Sequence, residues 1–92
     1  MKSIVQENWD ECYICGCSRN LEEHHIMSGW ANRKLSEQYG LTCRLCADHH
    51  RSKIGVHQDI ILKERLEKAA QKAFEQQYGH TKWMELFRKN YL

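Results

Sequence analysis

Several features that define other protein classes are missing from this 92-residue sequence. It contains no proline, and neither a repeat, a low-complexity segment nor a linker divides it. No stretch approaches the ~20 apolar residues of a membrane-spanning helix, and polar residues interrupt the region after Met1 where a signal peptide needs an apolar run. We therefore expect a single domain over residues 1–92, without a membrane span, in a reducing cytoplasmic compartment.

Charge and cysteine content narrow the class further. The net charge of +2 is too small to indicate nucleic-acid binding by itself. Five cysteines are an odd number, which fits a disulfide framework poorly. In a reducing compartment, CxxC spacing favours a metal or redox site instead. A chain of this size buries a limited core, so a bound metal would add stability.

The strongest pattern is a pair of metal-binding motifs, Cys12-x-x-Cys15 and Cys46-x-x-His49. Folding would bring together two tight turns that lie about thirty residues apart in the chain, as in tetrahedral structural zinc sites. Cys43-x-x-Cys46 has the same spacing and offers a four-cysteine alternative. We favour it less because Cys43 should lie within the preceding strand. A redox CxxC is disfavoured because the βαβ context of such motifs is absent.

The hydrophobic pattern predicts a small α+β fold. The expected elements are a strand at Leu21–Met27, a helix at Trp30–Tyr39, a strand at Leu41–Leu45 and a helix that opens at Cys46–Arg51. Ser28 is the expected N-cap of the first helix, and Gly40 its C-terminal stop.

Two further helices are expected in residues 58–92, where they serve mainly as packing elements. The first, capped by Asp59, runs to about Tyr78, and its apolar residues recur at spacings of three and four. A final helix capped by Thr81 should follow Gly79. Core or rim packing is also the favoured use of the three tryptophans, Trp9, Trp30 and Trp83.

Histidines lie beside both metal motifs. Adjacent residues on a strand point to opposite sides, so His24 and His25 can have different functions. One can ligate a divalent ion while the other acts as a general base near neutral pH. His50, on the first turn of the helix that follows the second motif, can complete the catalytic metal site.

The chain resembles the HNH endonucleases, the ββα-metal nucleases, in three motifs taken together: Cys12-x-x-Cys15, Glu23-His24-His25 and Leu45-Cys46-x-x-His49-His50. The resemblance spans about residues 12–57, and features outside the motifs extend it towards small phage and prophage HNH proteins. It implies a zinc-stapled ββα-metal core at about 12–57 with a helical extension at about 58–92.

The resemblance also assigns residue roles. His25 falls on the general base that takes a proton from the attacking water, while His24 and His50 fall on ligands of the catalytic metal. His57 is expected to supply an extra ligand or a phosphate contact. The family's middle residue, usually Asn or His, orients the base. Here that position falls on or near Leu41, which cannot do so, and Asn32 or a backbone carbonyl would have to substitute.

The implied activity is hydrolysis of DNA phosphodiester bonds, with structural Zn²⁺ and a catalytic divalent ion, Mg²⁺, Mn²⁺, Ni²⁺ or Zn²⁺. Arg44, Arg51 or Lys53 would hold the scissile phosphate, which suits arginine best. A homodimer or a phage or host protein partner stays open. The alternative is a catalytically silent zinc-knuckle module that binds nucleic acid or protein. Only the nuclease requires a second, exchangeable metal site.

Overall fold

A computed structural model describes residues 3–50, residue 55 and residues 58–92 of the chain. Within these residues the elements follow the order β1 (Leu21–His25), α1 (Trp30–Tyr39), β2 (Thr42–Cys46), α2 (Ala47–His50), α3 (Ile60–Tyr78) and α4 (His80–Phe87). The strands pair antiparallel in a two-stranded sheet. The predicted α+β class with two C-terminal helices is therefore confirmed. No helix among the described residues is both long and apolar enough to cross a membrane.

The register of the sheet decides which side chains face each other. His24 pairs with Cys43, and His25 pairs with Thr42. Beyond the strand end, the amide of Ile26 still donates to the carbonyl of Leu41 at 3.0 Å. Because hydrogen-bonded and non-hydrogen-bonded pairs alternate, His25 and Thr42 form a non-hydrogen-bonded pair, in which opposite side chains approach most closely.

The N-terminal segment covers the outer edge of β2. The hydroxyl of Ser3 donates to the carbonyl of Thr42, and the amide of Arg44 donates to Oε1 of Gln6 at 2.7 Å. Further along the same edge, the amide of Tyr13 donates to the carbonyl of Arg44 at 2.8 Å. The carbonyl of Thr42 and both backbone groups of Arg44 are therefore paired within the chain, and these hydrogen bonds hold the segment that precedes β1 beside β2.

Helix α1 has the predicted bounds, but its N-cap is not the predicted residue. Gly40 ends it in the left-handed conformation, with φ 72° and ψ 30°. The N-cap is Gly29, at φ 102°, and no side chain caps the helix. Ser28 was predicted as the cap, and this is wrong. The turn into the helix lies one residue later than expected, at Gly29. Its backbone conformation is one that residues with a side chain rarely adopt.

Helix α3 also has the predicted bounds, and its cap is confirmed. The carboxylate of Asp59 accepts hydrogen bonds from the amides of Ile61 and Leu62, at 3.0 and 3.2 Å. The predicted cap of the next helix is wrong, because α4 begins at His80 directly after Gly79 and Thr81 lies inside its first turn. Gly79, at φ 87°, is the one residue between α3 and α4, so Thr81 cannot lie before the helix as its cap.

An aromatic cluster joins the two C-terminal helices and forms much of the core. Trp83 is fully buried, with its ring 5.4 Å from that of Phe74 and 4.1 Å from that of Phe87. The indole nitrogen of Trp83 donates to the carbonyl of Lys89 at 2.8 Å, which satisfies its one polar atom. The packing function predicted for these helices and for Trp83 is confirmed. For Trp30 it is wrong, because that side chain is 84% exposed.

Candidate metal centre and histidine pocket

The first metal motif lies on a tight turn closed by two backbone hydrogen bonds. The amide of Gly16 donates to the carbonyl of Cys12 at 2.8 Å, and the amide of Cys12 donates to the carbonyl of Cys17 at 2.7 Å. Gly16 has a φ of 78°, which suits glycine. This turn forms the predicted knuckle and presents the thiols of Cys12 and Cys15 together.

The second motif lies where β2 passes into α2. Cys46 is the last residue of β2, and His49 follows within the four-residue helix α2. The hydrogen bond from Tyr13 to Arg44 brings the first turn beside this junction. Four side chains thereby converge from two distant parts of the chain, with all ligand atoms within 4.8 Å of one another: Cys12, Cys15, Cys46 and His49.

The spacing of these ligand atoms matches a tetrahedral zinc site. The Sγ atoms of Cys15 and Cys46 are 3.8 Å apart, and Nδ1 of His49 lies 3.2 Å from Sγ of Cys46 and 3.8 Å from Sγ of Cys12. Tetrahedral Zn–S bonds of about 2.3 Å and Zn–N bonds of about 2.0 Å require S···S separations of about 3.8 Å and S···N separations of about 3.6 Å. The predicted Cys₃His set can therefore hold a zinc ion.

The environment of Cys12 favours the thiolate that such a site needs. Burial acts to raise its pKa, but hydrogen bonds from the backbone at Cys15, Cys46 and Ile14 outweigh it and lower the pKa to about 6. Thiolates, rather than thiols, bind metals, so this cysteine is suited to ligation near neutral pH.

Cys43, the alternative ligand, lies elsewhere. It is fully buried in the core and does not belong to the convergent group. Burial raises the pKa of its thiol to about 12, with the nearby Cys12 thiolate as a second cause. Residues three apart on a strand point to opposite faces, so Cys43 and Cys46 cannot act as a pair. The structure therefore favours the His49 set over the four-cysteine alternative.

A second feature is an open pocket of about 640 Å³ beside the sheet, which brings residues of four elements together. Its walls come from β1, from the start of α1 and the turn that precedes it, from α2 and from α3. The side chains with polar or aromatic chemistry around it are Glu23, His24, His25, Trp30, Arg33, His50 and Lys63. Three of the four histidines that the sequence singled out as catalytic thus line one cavity, and the fourth, His57, lies outside the described residues.

His24 and His50 form the inner part of this pocket. Their ring centroids are 5.2 Å apart, in an edge-to-face arrangement. His24 is buried, and Nδ1 of His50 donates to Oε1 of Glu22 at 2.9 Å. A histidine that donates from Nδ1 presents its Nε2 lone pair, so this carboxylate both orients the ring and selects its ligating nitrogen. Glu22 was not singled out from the sequence, although strand alternation places it on the same face as His24.

His25 reaches the pocket from the other face of β1. Its side chain is 17% exposed, and Nε2 lies 3.9 Å from Oε1 of Glu23. Across the sheet, the hydroxyl of its partner Thr42 is buried and has no hydrogen-bond partner among the described residues. A partly exposed imidazole beside a carboxylate has the access that a general base requires.

Within the described part of the chain, neither residue considered for the family's middle position forms a hydrogen bond with His25. Leu41 is fully buried in the core, and its carbonyl accepts from Ile26. The amide nitrogen of Asn32 donates to the carbonyl of Ser28 at 2.9 Å, within its own helix start. The orienting interaction of the family pattern is therefore not supplied by either of them here.

The structure describes one of the three residues predicted to bind phosphate, Arg44. Arg44 does not line the pocket, because its guanidinium lies over the ring of Trp9 at 5.5 Å. Arg51, Lys53 and His57 lie outside the described residues. The described cations that line the pocket are instead Arg33 and Lys63, which were not predicted.

Two further observations concern the metal ligands and the helix α2 that carries His49. Among residues 3–50, 55 and 58–92, the Cys₃His set is the one group of three or more possible metal ligands. Gly55 is buried against the backbone of α2, where an added Cβ would lie 2.9 Å from the carbonyl carbon of His49. The chain therefore needs glycine at this position to return past the helix that carries His49 and His50.

Comparisons with known proteins identify no relative. No protein-family model matches the chain, and searches of curated proteins and of solved structures find no match either. A functional interpretation must therefore rest on the chemistry of the Cys₃His set and the histidine pocket.

Proposed function

We propose that this protein is a metal-dependent endonuclease of the HNH type, which hydrolyses DNA phosphodiester bonds. The observation that carries the proposal is that one short helix contributes a histidine to each of two sites. In α2, His49 belongs to the Cys₃His set while His50 lines the pocket with His24 and His25. A structural zinc at the first site would thus fix one wall of the second, as the resemblance to the ββα-metal nucleases implies.

In this proposal His25 is the general base, because the HNH pattern gives its position that function and its side chain is partly exposed. His24 and His50 would hold the catalytic ion, Mg²⁺, Mn²⁺, Ni²⁺ or Zn²⁺, with Glu22 orienting the ring of His50. When bound, the ion would stabilise negative charge on the phosphate and the departing oxygen. Two nitrogen ligands suit the later transition metals at least as well as Mg²⁺.

Positive charge for the substrate would come from two elements that line the pocket. Arg33 on α1 and Lys63 on α3 both line it, and Glu23 is the described carboxylate beside them. A guanidinium can bind a phosphate with two parallel hydrogen bonds, so Arg33 takes the position first expected for Arg44.

A silent zinc-knuckle module is the second candidate. It is favoured by the finding that the described residues contain a single convergent metal group, the Cys₃His set. In such a module the pocket histidines would have no chemical function, and binding of nucleic acid or protein would not require an exchangeable metal.

Cleavage of supercoiled plasmid separates these candidates. Wild type, His25→Ala and His80→Ala would be compared at low salt with Mg²⁺, Mn²⁺ or Ni²⁺, and with chelator. His80 is a matched control because it is a carboxylate-paired histidine, 2.8 Å from Glu75 and outside the pocket. The nuclease predicts that His80→Ala keeps the metal-dependent cleavage and His25→Ala loses it. Absence of cleavage by all three, with one zinc bound per chain, would establish the silent module instead.

A further inference from the structure

Trp30 is exposed to a degree that core packing cannot explain. Its side chain is 84% exposed, whereas Trp83 is fully buried and Trp9 is half-buried beneath the guanidinium of Arg44. Trp30 is the first residue of α1, and the turn at Gly29 places it at the rim of the histidine pocket. Large exposed aromatic side chains at the mouth of a cavity are typical of binding surfaces.

The surroundings of Trp30 are cationic. Nζ of Lys34 lies 5.0 Å from the centre of its ring, and Arg33, on the same turn of α1, lines the pocket. Lys63 on α3 also lines the cavity, and Glu23 is the described carboxylate among its lining residues. The charges therefore complement an anionic ligand that also has an aromatic face to place on the indole.

We propose that Trp30 and Arg33 form a stacking site for one unpaired base of the substrate, with Arg33 holding the adjacent phosphate. Bases within a duplex have their faces covered by their neighbours, so stacking on an indole requires a single strand or an extruded base. The pocket volume of about 640 Å³ lies in the range of cavities that hold one small ligand, such as a single nucleotide. The inference rests on the proposed nuclease function and narrows its substrate to DNA with single-stranded character at the cut.

The test measures binding directly, so it does not depend on cleavage. Fluorescently labelled single-stranded and duplex oligonucleotides of equal length would be titrated with the zinc-loaded full chain at low salt, without other divalent ions. We expect wild type to bind the single strand more tightly and Trp30→Ala to weaken that binding about 5- to 100-fold, the effect of losing one stacked base. Trp30→Phe should retain most of the affinity, since a phenyl ring also stacks.

Two matched controls separate stacking from general effects. Ile61→Ala removes an exposed apolar side chain outside the pocket and should leave the affinity unchanged. Arg33→Gln should weaken binding and reduce the salt dependence by about one phosphate contact, whereas Lys72→Gln, an exposed cation elsewhere on α3, should not. Circular dichroism of each variant confirms that the fold is intact.

Intrinsic fluorescence provides a second readout. Stacking should quench the emission of wild type on addition of the single strand, and Trp30→Phe should abolish this quenching while it keeps affinity. Equal affinity of wild type and Trp30→Ala, or no binding of the single strand by wild type, would overturn the inference. Neither of these results would affect the plasmid cleavage expected of wild type, so the nuclease proposal would remain. If wild type did not cleave plasmid but still bound the single strand through Trp30, the nuclease would be refuted and the stacking site would not.

Discussion

Replacing Cys46 by serine removes one ligand from the Cys₃His set and leaves the shape of the side chain nearly unchanged. Its Sγ lies 3.8 Å from that of Cys15 and 3.2 Å from Nδ1 of His49, so it connects the first turn to α2. If the set binds zinc as its geometry indicates, the variant should lose both the metal and the connection between these two segments. Cys43→Ala is a matched control, because it removes the sulfur of a buried cysteine from the same strand but outside the set.

The expected magnitude follows from the size of the domain. At ~0.05–0.15 kcal/mol per residue, a chain of this length has a stability of about 5–14 kcal/mol. Structural zinc contributes about 10–16 kcal/mol of binding free energy at neutral pH in zinc-finger peptides. A loss of only ~3 kcal/mol would lower the melting temperature by about 12–24 °C. Cys46→Ser should therefore be largely unfolded or melt far below wild type.

The assay combines zinc content per chain, measured by mass spectrometry after dialysis, with thermal unfolding followed by circular dichroism. Wild type and Cys43→Ala should each retain one zinc and lose stability when a chelator is added. Cys46→Ser should carry no zinc and show no response to chelator. If Cys43→Ala lost the metal while a His49→Ala variant retained it, the assignment of the ligands would be wrong, and the four-cysteine set would replace it.

Two further predictions concern buried groups on β2. Burial raises the pKa of the Cys43 thiol from 9.0 to about 12, so the folded chain keeps it neutral where the unfolded chain ionises. The corresponding stability is present below pH 9 and is lost as pH rises towards 12, by about 1.4 kcal/mol at pH 10. Urea unfolding at pH 8 and 10 should show this loss in wild type, and a Cys43→Ala variant with an equal loss would exclude this thiol as its cause. Thr42→Val removes a buried hydroxyl that has no partner in the part of the chain that the structure describes, and it should raise the free energy of unfolding by about 1 kcal/mol. A destabilised Thr42→Val variant would instead show that the hydroxyl binds a group such as the ring of His25.

Local rules determined much of the fold, and these parts were predictable. The bounds of α1 and α3 follow from a left-handed glycine at Gly40 and a capping carboxylate at Asp59, both of which act through their immediate neighbours. The Cys₃His set was predictable for a similar reason, because each two-residue spacing places a pair of ligands on one turn. Folding then only has to join the two turns.

Other features depend on which elements pack together, and the sequence does not encode them locally. Helical periodicity places Trp30 and Arg33 on the same face of α1 but does not determine whether other elements cover that face. The same limit applies to Lys63, whose mixed-charge helix gave no sign that it borders the pocket. Glu22 and Glu23 both lie within two residues of His24 in sequence, and only the position of α2 shows that Glu22 binds His50.

Helix α2 connects the metal centre to the pocket, and this has a consequence for function. A four-residue helix is too short to be stable by itself, so its position depends on tertiary contacts. The described contacts that fix it are the convergence of His49 with three cysteines, the bond from His50 to Glu22, and the close approach of Gly55 to its backbone. Loss of the contact between His49 and the cysteines would release the residue that directly precedes His50. If the pocket is the active site, ligands such as Cys46 that lie outside it are therefore as necessary for activity as the histidines that line it.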